Sequence, residues 1–184
     1  VAINPAQTVR CKEKLKDSLV HVGAAIGFPL GQTTLECKIF ETKDAIKKGA
    51  DEIDYVINVA ELKNKNYDYI KKEMEEIVKI CKEAGKTSKV IFENCYLTKD
   101  EIRQLALIAK EVKPDFIKTS TGFGTGGATV EDVKIMVEAV EGEVQVKAAG
   151  GIRDWKTCKE MIEAGATRIG TSSSLNILKE FEGE

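Results

Sequence analysis

Seven short apolar runs alternate along this chain with longer segments of helical periodicity. The predicted strands cover residues 1–4, 21–28, 52–58, 88–94, 115–120, 144–150 and 168–172. The predicted helices cover residues of about 7–17, 33–48, 65–84, 99–112, 130–141, 155–164 and 173–182. Strands that alternate with helices in this way run parallel and are joined by crossover helices. The alternation therefore predicts an α/β fold.

Local signals agree with these boundaries. Thr98 and Glu101 have the spacing of a capping box before the fourth helix, and Thr129 is a candidate N-cap for the fifth. Three helices are followed by a glycine shortly before the next strand, and a glycine there closes a helix in the left-handed conformation: Gly49, Gly85 and Gly165. No linker or low-complexity segment interrupts the pattern, so a single domain over residues 1–184 is predicted.

Charged residues fall on one parity of the predicted strands. They alternate with apolar neighbours, as Asp54 does with Ile53 and Tyr55. The set consists of Glu52, Asp54, Lys89, Glu93, Lys118, Lys147 and Arg168. Parallel sheets are seldom solvated on one face, so this pattern favours a TIM (βα)8 barrel, with apolar residues outward against helices and charges inward. The alternative is a half-solvated sheet whose charges face water.

Composition limits the classes of function. The net charge of −2 gives no bias toward nucleic acid or a membrane surface, and no apolar stretch approaches the roughly 20 residues that span a bilayer. Five cysteines without a C-x-x-C pair and a single histidine argue against a zinc site or disulfides and predict a cytoplasmic protein with reduced thiols. The charges of residues 71–86 are expected to form a solvated helical face.

A glycine-rich loop follows the fifth strand. Gly122, Gly124 and Gly127 match the spacing of a dinucleotide-binding loop between a strand and a helix. A Rossmann unit also needs an acidic residue about 20 residues later, and the next strand offers Lys147 instead. Ala128 stands where a P-loop would carry its lysine. Nucleotide binding is therefore disfavoured.

Two lysines lie toward the carboxyl ends of consecutive strands, the end where barrel enzymes place their active sites. A lysine amine attacks a carbonyl carbon only when unprotonated, and a neighbouring ammonium and desolvation both favour that form. Lys118 and Lys147 supply such an arrangement, and Asp54 on an earlier strand is a candidate for proton transfer. The alternative is that the two lysines are only salt-bridge members of a polar interior.

The loops after the last two strands suit an anion. Each provides glycines and free N–H groups before a helix, and barrel enzymes often bind phosphate at these loops. The candidate ligands are Gly150, Gly151, Gly170, Ser172 and Ser173. The alternative is that these residues only form tight turns and helix caps.

At these residues the sequence resembles the deoxyribose-phosphate aldolases, which are class I aldolases. The matching stretches include GFPLGQTTLECKIFETKDAIKKGADEIDYVIN, DFIKTSTGFGTGGATVEDVKIM, VKAAGGIRD and GATRIGTSSSLNIL, and the resemblance runs essentially end to end. It implies a (βα)8 barrel that splits 2-deoxy-D-ribose 5-phosphate reversibly into D-glyceraldehyde 3-phosphate and acetaldehyde, as a lyase without metal or cofactor.

The resemblance also implies roles for single residues. Lys118 matches the Schiff-base lysine, Lys147 the second active-site lysine, and Asp54 the proton-relay aspartate. The positions that match or lie near substrate and phosphate ligands are Lys89, Gly122, Gly150, Gly151, Gly170, Ser172 and Ser173. The expected partners are small sugar phosphates and aldehydes, with a homodimer as the assembly.

The sequence departs from the family at its start. Members usually carry a helix and a strand before the position of Val1, so seven strands are expected here and the domain is expected to be incomplete at its N-terminus. This leaves a second hypothesis, a barrel that binds sugar phosphate without turnover. Phe123 also stands where some members use a lysine near the phosphate, and Ala149 where serine is common.

Overall fold

The computed structural model describes residues 1–183, which fall into two compact units that interleave along the chain. The first unit holds Val1–Ile91 and Val112–Asp115, and the second holds Phe92–Glu111 and the residues from Phe116 on. The single domain predicted from the sequence stays a prediction, and each unit is described by itself. No helix among residues 1–183 has the length and apolar character needed to cross a bilayer.

The first unit is built on four parallel strands that pair in chain order. They are β1 (Ala2–Ile3), β2 (Gly23–Ile26), β3 (Glu52–Val56) and β4 (Thr87–Ile91). The helices of this unit are α1 (Thr8–Lys14), α2 (Leu35–Lys47), α3 (Val59–Lys63) and α4 (Tyr67–Glu83). Every residue of β3 is buried, which is typical of an inner parallel strand covered on both faces.

The second unit repeats this pattern with three parallel strands, again paired in chain order. They are β5 (Phe116–Lys118), β6 (Gln145–Ala149) and β7 (Arg168–Gly170). The helices are α5 (Lys99–Val112, of which the last residue belongs to the first unit), α6 (Val130–Val140), α7 (Trp155–Glu163) and α8 (Ser174–Glu182). The seven strands and seven of the helices lie where the sequence predicts them.

The predicted boundary signals are present as contacts. The Thr98 Oγ1 atom accepts a hydrogen bond from the Glu101 N–H, and the Glu101 carboxylate accepts one from the Thr98 N–H, which completes the capping box of α5. The Thr129 side chain caps α6 by accepting from the Asp132 N–H. The glycines predicted to close helices all have positive φ: Gly49, Gly85 and Gly165.

Two details differ from the sequence prediction. The helix α3 was not predicted, because its five residues are too few to show a helical period, and it depends on the Asn58 side chain as its cap. Arg168 was expected to point inward with the other strand charges, but it is exposed. Arg168 is the first residue of β7, and its guanidinium lies 5.0 Å from the centre of the Phe116 ring. A cation–π contact therefore holds this side chain in its exposed position.

A third difference lies in α4, whose charges were expected to face solvent. Glu73 is fully buried and its carboxylate lies 2.5 Å from the Nζ atom of Lys38 on α2, which is also fully buried. The same ammonium donates to the Val56 carbonyl at 2.8 Å, and the second Glu73 oxygen accepts from the Asn58 N–H at 3.1 Å. The pair therefore ties α2 and α4 to the residues at the end of β3.

Burial and pairing act in opposite directions on this pair. Burial lowers the pKa of Lys38, and the nearby Glu73 carboxylate opposes that shift. Burial raises the pKa of Glu73, and the Lys38 ammonium opposes that shift in turn. Each partner thus stabilises the charged form of the other against burial, and removing one partner leaves a buried charge without compensation.

We predict that Lys38→Met lowers the free energy of unfolding by about 3–5 kcal/mol, because Glu73 then stays buried and unpaired. The double variant with Glu73→Leu should recover most of that loss, since an apolar pair of similar volume needs no desolvation of charge. Urea unfolding of both variants measures the difference.

Lys48→Met is the matched control, because Lys48 at the end of the same helix forms an exposed pair with Asp44, and its effect should stay within about 0.5 kcal/mol. Additive losses in the double variant would contradict the prediction.

Candidate active site

Lys118 and Lys147 are neighbours in the second unit. Lys118 is the last residue of β5, and its Cα partner in the parallel register is Lys147 of β6. Register partners lie about 4.8 Å apart and point to the same face of a sheet. Both residues are buried, with exposed fractions of 5% and 7%. The structure therefore brings the two predicted lysines together on one face and out of bulk water.

The end of β7 lies against the Lys147 side chain. A Cβ atom on Gly170 would approach the Cβ of Ala149 to 2.8 Å and the Cε of Lys147 to 3.2 Å. No side chain fits in that space, so the β7 backbone packs directly on the lysine stem. The last residue of β7 thus helps to fix the direction of the Lys147 amine.

The loops predicted to bind phosphate are connected to each other. The Thr171 hydroxyl donates to the Ile152 carbonyl at 2.6 Å and accepts from the Ser173 N–H at 2.9 Å. Gly150 and Gly151 follow β6 with φ angles of +86° and +79°, a conformation that glycine adopts without strain. Ser172 is exposed and Ser173 is partly exposed, just before α8. Exposed hydroxyls and turn N–H groups beside a helix N-terminus suit an anionic ligand.

Gly122 lies in the loop between β5 and α6. It has a φ of +91°, and a Cβ there would meet nothing within 4 Å, so the turn rather than a close neighbour requires glycine. Two later glycines of this loop do have close neighbours: Gly124 lies against Glu93 and Cys95, and Gly127 lies against the Gly150 turn after β6. The loop thus runs from the end of β5 to the Gly150 turn.

In the first unit, Asp54 belongs to a buried cluster of charges. Its register partner is Lys89 of β4, whose Nζ atom lies 2.5 Å from Asp54 Oδ1 and 2.6 Å from Glu52 Oε2. The other Glu52 oxygen lies 3.0 Å from Nδ1 of His21. The ammonium donates charge-assisted hydrogen bonds to both carboxylates, which fixes the position of Asp54. Lys89, predicted to bind substrate, is therefore placed as the direct partner of Asp54.

The sequence did not indicate the contacts that two residues make. Thr171 couples the two loops, but the sequence pointed only to the serines that follow it, and nothing in its spacing marks it out. Glu93 was recognised as an inward charge, and the structure gives it positive φ and a contact with the loop after β5. A glutamate in that conformation has no signature in a single sequence.

A comparison with known families gives a match over most of the chain. The profile described as DeoC/LacD family aldolase matches residues 1–180. A deoxyribose-phosphate aldolase of Lactobacillus acidophilus is 63% identical over 99% of this chain and 77% of its own length. Those of Bacteroides thetaiotaomicron and Thermococcus kodakarensis are 57% and 52% identical, with 76% and 81% of their lengths covered.

Solved structures agree with the sequence relatives. A chain described as "QR15, an Aldolase" is 40% identical, with a TM-score of 0.92 over 100% of this chain and 81% of its own. A deoxyribose phosphate aldolase from Aeropyrum pernix, described as having a unique tetrameric structure, is 31% identical with a TM-score of 0.90 over 98% of this chain and 76% of its own. The predicted fold class, α/β with the strands of a TIM barrel, is confirmed by these likenesses.

We predict that Gly170→Ala destabilises the protein, because the new Cβ has to displace Ala149 or the Lys147 stem. Overpacking of this kind costs roughly 1–3 kcal/mol. The midpoint of thermal unfolding should fall by roughly 2–4 °C per kcal/mol in a chain of this size. Gly183→Ala is the control, since its Cβ would meet only ordinary contacts of 3.5 Å or more. Equal midpoints for the two variants would show that the space beside Lys147 is not tight.

Proposed function

Because the chain belongs to the DeoC/LacD aldolase family, we propose that it cleaves 2-deoxy-D-ribose 5-phosphate reversibly to D-glyceraldehyde 3-phosphate and acetaldehyde, as a class I aldolase. The observation that carries the mechanism is the buried register pair of Lys118 and Lys147. The alternative, a barrel that binds sugar phosphate without turnover, is not favoured, because relatives with this activity in their names match 97–99% of the chain.

In the proposed mechanism, the Lys118 amine attacks C1 of the open-chain sugar. The carbinolamine that forms loses its hydroxyl as water and becomes an iminium ion. The attack requires a neutral amine, so a group that can take up its proton has to lie next to it. Lys147 holds that position, directly opposite Lys118 in the register.

The iminium is the electron sink for carbon–carbon cleavage. The C3 hydroxyl loses its proton, the C2–C3 bond breaks, and its electron pair forms an enamine while glyceraldehyde 3-phosphate leaves. A proton then adds to C2, and water hydrolyses the resulting iminium to release acetaldehyde and restore the Lys118 amine. The protein supplies the electron sink itself, so the proposal requires no metal or cofactor.

Proton transfers are assigned to Lys147 and Asp54. For Lys147 the support is its place beside Lys118. For Asp54 the support is its match to the relay aspartate of the family and its fixed position against Lys89 within the first unit. A side chain held in one orientation transfers protons better than a mobile one, because less reorganisation precedes the transfer.

The phosphate is assigned to the loops after β6 and β7. The proposed ligands are Gly150, Gly151, Gly170, Ser172 and Ser173, together with Gly122 in the loop after β5 and Lys89 as the family match. The Thr171 hydroxyl joins the two loops, and this supports a common role for the glycine turn after β6 and the serines after β7. Binding the remote phosphate places C1 for attack and lowers the entropic cost of reaction.

Location and assembly are also proposed. Five free cysteines and a phosphorylated metabolite as substrate support a cytoplasmic enzyme. A homo-oligomer is expected, with a dimer as the simplest closed form. The Aeropyrum pernix relative is described as tetrameric, so the family also forms larger assemblies.

We predict that sodium borohydride with acetaldehyde leaves a two-carbon adduct on Lys118, because reduction traps the iminium covalently. Peptide mass spectrometry identifies the modified residue. Lys118→Arg should abolish the adduct and the cleavage of deoxyribose 5-phosphate. Lys134→Met is the control, since Lys134 is an exposed residue of α6 and its loss should leave both readouts intact. An unmodified Lys118 in folded protein would refute the mechanism.

We also predict that Lys147→Met lowers kcat by about 10²–10⁴-fold, the range for loss of a positioned proton-transfer group. The adduct should still form on Lys118, but more slowly, because the neighbouring proton-transfer group is gone. Steady-state cleavage and timed borohydride quenching measure the two effects. A variant within threefold of the parent in both would remove Lys147 from the mechanism.

A further inference from the structure

Glu93 occupies an unusual place in the second unit. Its φ of 57° lies in the left-handed region, which a glutamate rarely adopts. The residues on either side are held by backbone hydrogen bonds to the end of β5, since the Phe92 N–H donates to the Lys118 carbonyl and the Asn94 N–H donates to the Thr119 carbonyl, both at 2.9 Å. The strained backbone of Glu93 thus lies between two ordinary backbone hydrogen bonds, and such outliers cluster at functional sites.

The redirected carboxylate holds the first residue of the loop after β5. Glu93 is 2% exposed, and its oxygens accept from the Thr121 N–H at 3.1 Å and from the Thr121 hydroxyl. The Thr121 Oγ1 atom in turn accepts from the Phe123 N–H at 3.0 Å. Hydrogen bonds to a buried carboxylate are strong, so this chain of contacts determines the start of the loop.

The middle of the loop packs on the same segment. A Cβ on Gly124 would lie 2.6 Å from the Cys95 Sγ atom and 3.2 Å from the Glu93 Cδ atom. The loop backbone therefore passes directly over Glu93 and Cys95, with no room for a side chain. Glu93 thus determines both the first hydrogen bonds of the loop and its path.

The far end of the loop rests on the predicted phosphate turn. A Cβ on Gly127 would lie 2.2 Å from the Gly150 oxygen and 3.0 Å from the Gly151 nitrogen. The Ala128 N–H lies within hydrogen-bond distance of the Ala149 and Gly150 carbonyls, at 3.1 and 3.0 Å. A shift of the loop is therefore transmitted to the peptide that carries the Gly151 N–H, a proposed phosphate donor.

We propose that Glu93 is a positioning residue for the substrate phosphate. Through Thr121 it fixes the loop of residues 121–128, and the loop fixes the turn at Gly150 and Gly151. The inference rests on the proposed aldolase function, and it adds a residue that acts on recognition of the phosphate while leaving the covalent chemistry to Lys118.

The test compares deoxyribose 5-phosphate with unphosphorylated 2-deoxyribose in the full chain. Glu93→Ala removes both contacts to Thr121, and it should raise KM for the phosphorylated sugar about tenfold, the effect of losing one charge-assisted hydrogen bond. The kcat/KM for the unphosphorylated sugar should change less than twofold. Inorganic phosphate serves as a competitive inhibitor, and its inhibition constant should rise in parallel with KM for the phosphorylated sugar.

Matched variants separate positioning from stability. Glu93→Gln keeps an acceptor for the Thr121 N–H and a donor for its hydroxyl, so it should restore most of the preference for phosphate. Gly127→Ala should reproduce the effect of Glu93→Ala from the other end of the loop. Thr121→Val loses the hydroxyl contact without removing the buried carboxylate, and it serves if Glu93→Ala does not fold. Rates are normalised to the fraction of Lys118 that borohydride traps with acetaldehyde.

The outcomes distinguish this inference from the proposed function. If the parent neither cleaves the sugar nor forms the Lys118 adduct, the aldolase proposal fails. If the parent is active but the variants lose rate equally on both sugars, Glu93 only supports the fold and the inference is overturned. If Glu93→Gln is as impaired as Glu93→Ala, hydrogen bonding to the loop is not its role.

Discussion

The parallel register of β5 and β6 is the constraint on which the second unit depends, because it makes Lys118 and Lys147 direct neighbours. The surrounding backbone is adapted to that pair. Gly170 packs on the Lys147 stem, and the Gly127 backbone packs on the turn that ends β6. Close backbone approach thus replaces side-chain packing around the lysines.

In the first unit, several charged side chains are buried and stabilised by pairing. Lys38 and Glu73 pair with each other and with backbone groups near the end of β3. Lys89 bridges two carboxylates in the interior of the same strand pair. Both clusters fix β3, one from the helices and one from β4. Since β3 carries Asp54, the orientation of that carboxylate follows from buried ion pairs.

Much of this arrangement follows from the sequence alone. Alternating strand and helix patterns located all seven strands, and the parity of charges identified Lys118, Lys147 and Asp54 as buried polar residues. Capping residues such as Thr98 and Thr129 act locally, so their contacts were predictable from spacing. The prediction failed for Arg168, because its side chain makes a cation–π contact with Phe116 on another strand and stays exposed.

Contacts distant in sequence were the ones that could not be anticipated. Lys38 and Glu73 are 35 residues apart on different helices. Nothing in the sequence of either helix distinguishes these buried ions from the solvated ones around them. The conformation of Glu93 depends on a loop 28 residues later. Tertiary geometry decides such positions, because the same residue types occur far more often on exposed faces.

The backbone lies very close to neighbouring atoms at Gly124, Gly127 and Gly170, which has a consequence for protein engineering. A library that randomises residues of this region to widen the range of aldehydes would lose most of its members at these positions to steric conflict. Diversity is better introduced at Phe123 and Thr125, whose side chains are exposed on the same loop. Sequence change in this loop is thus tolerated at exposed side chains, while the glycine positions of the backbone tolerate little change.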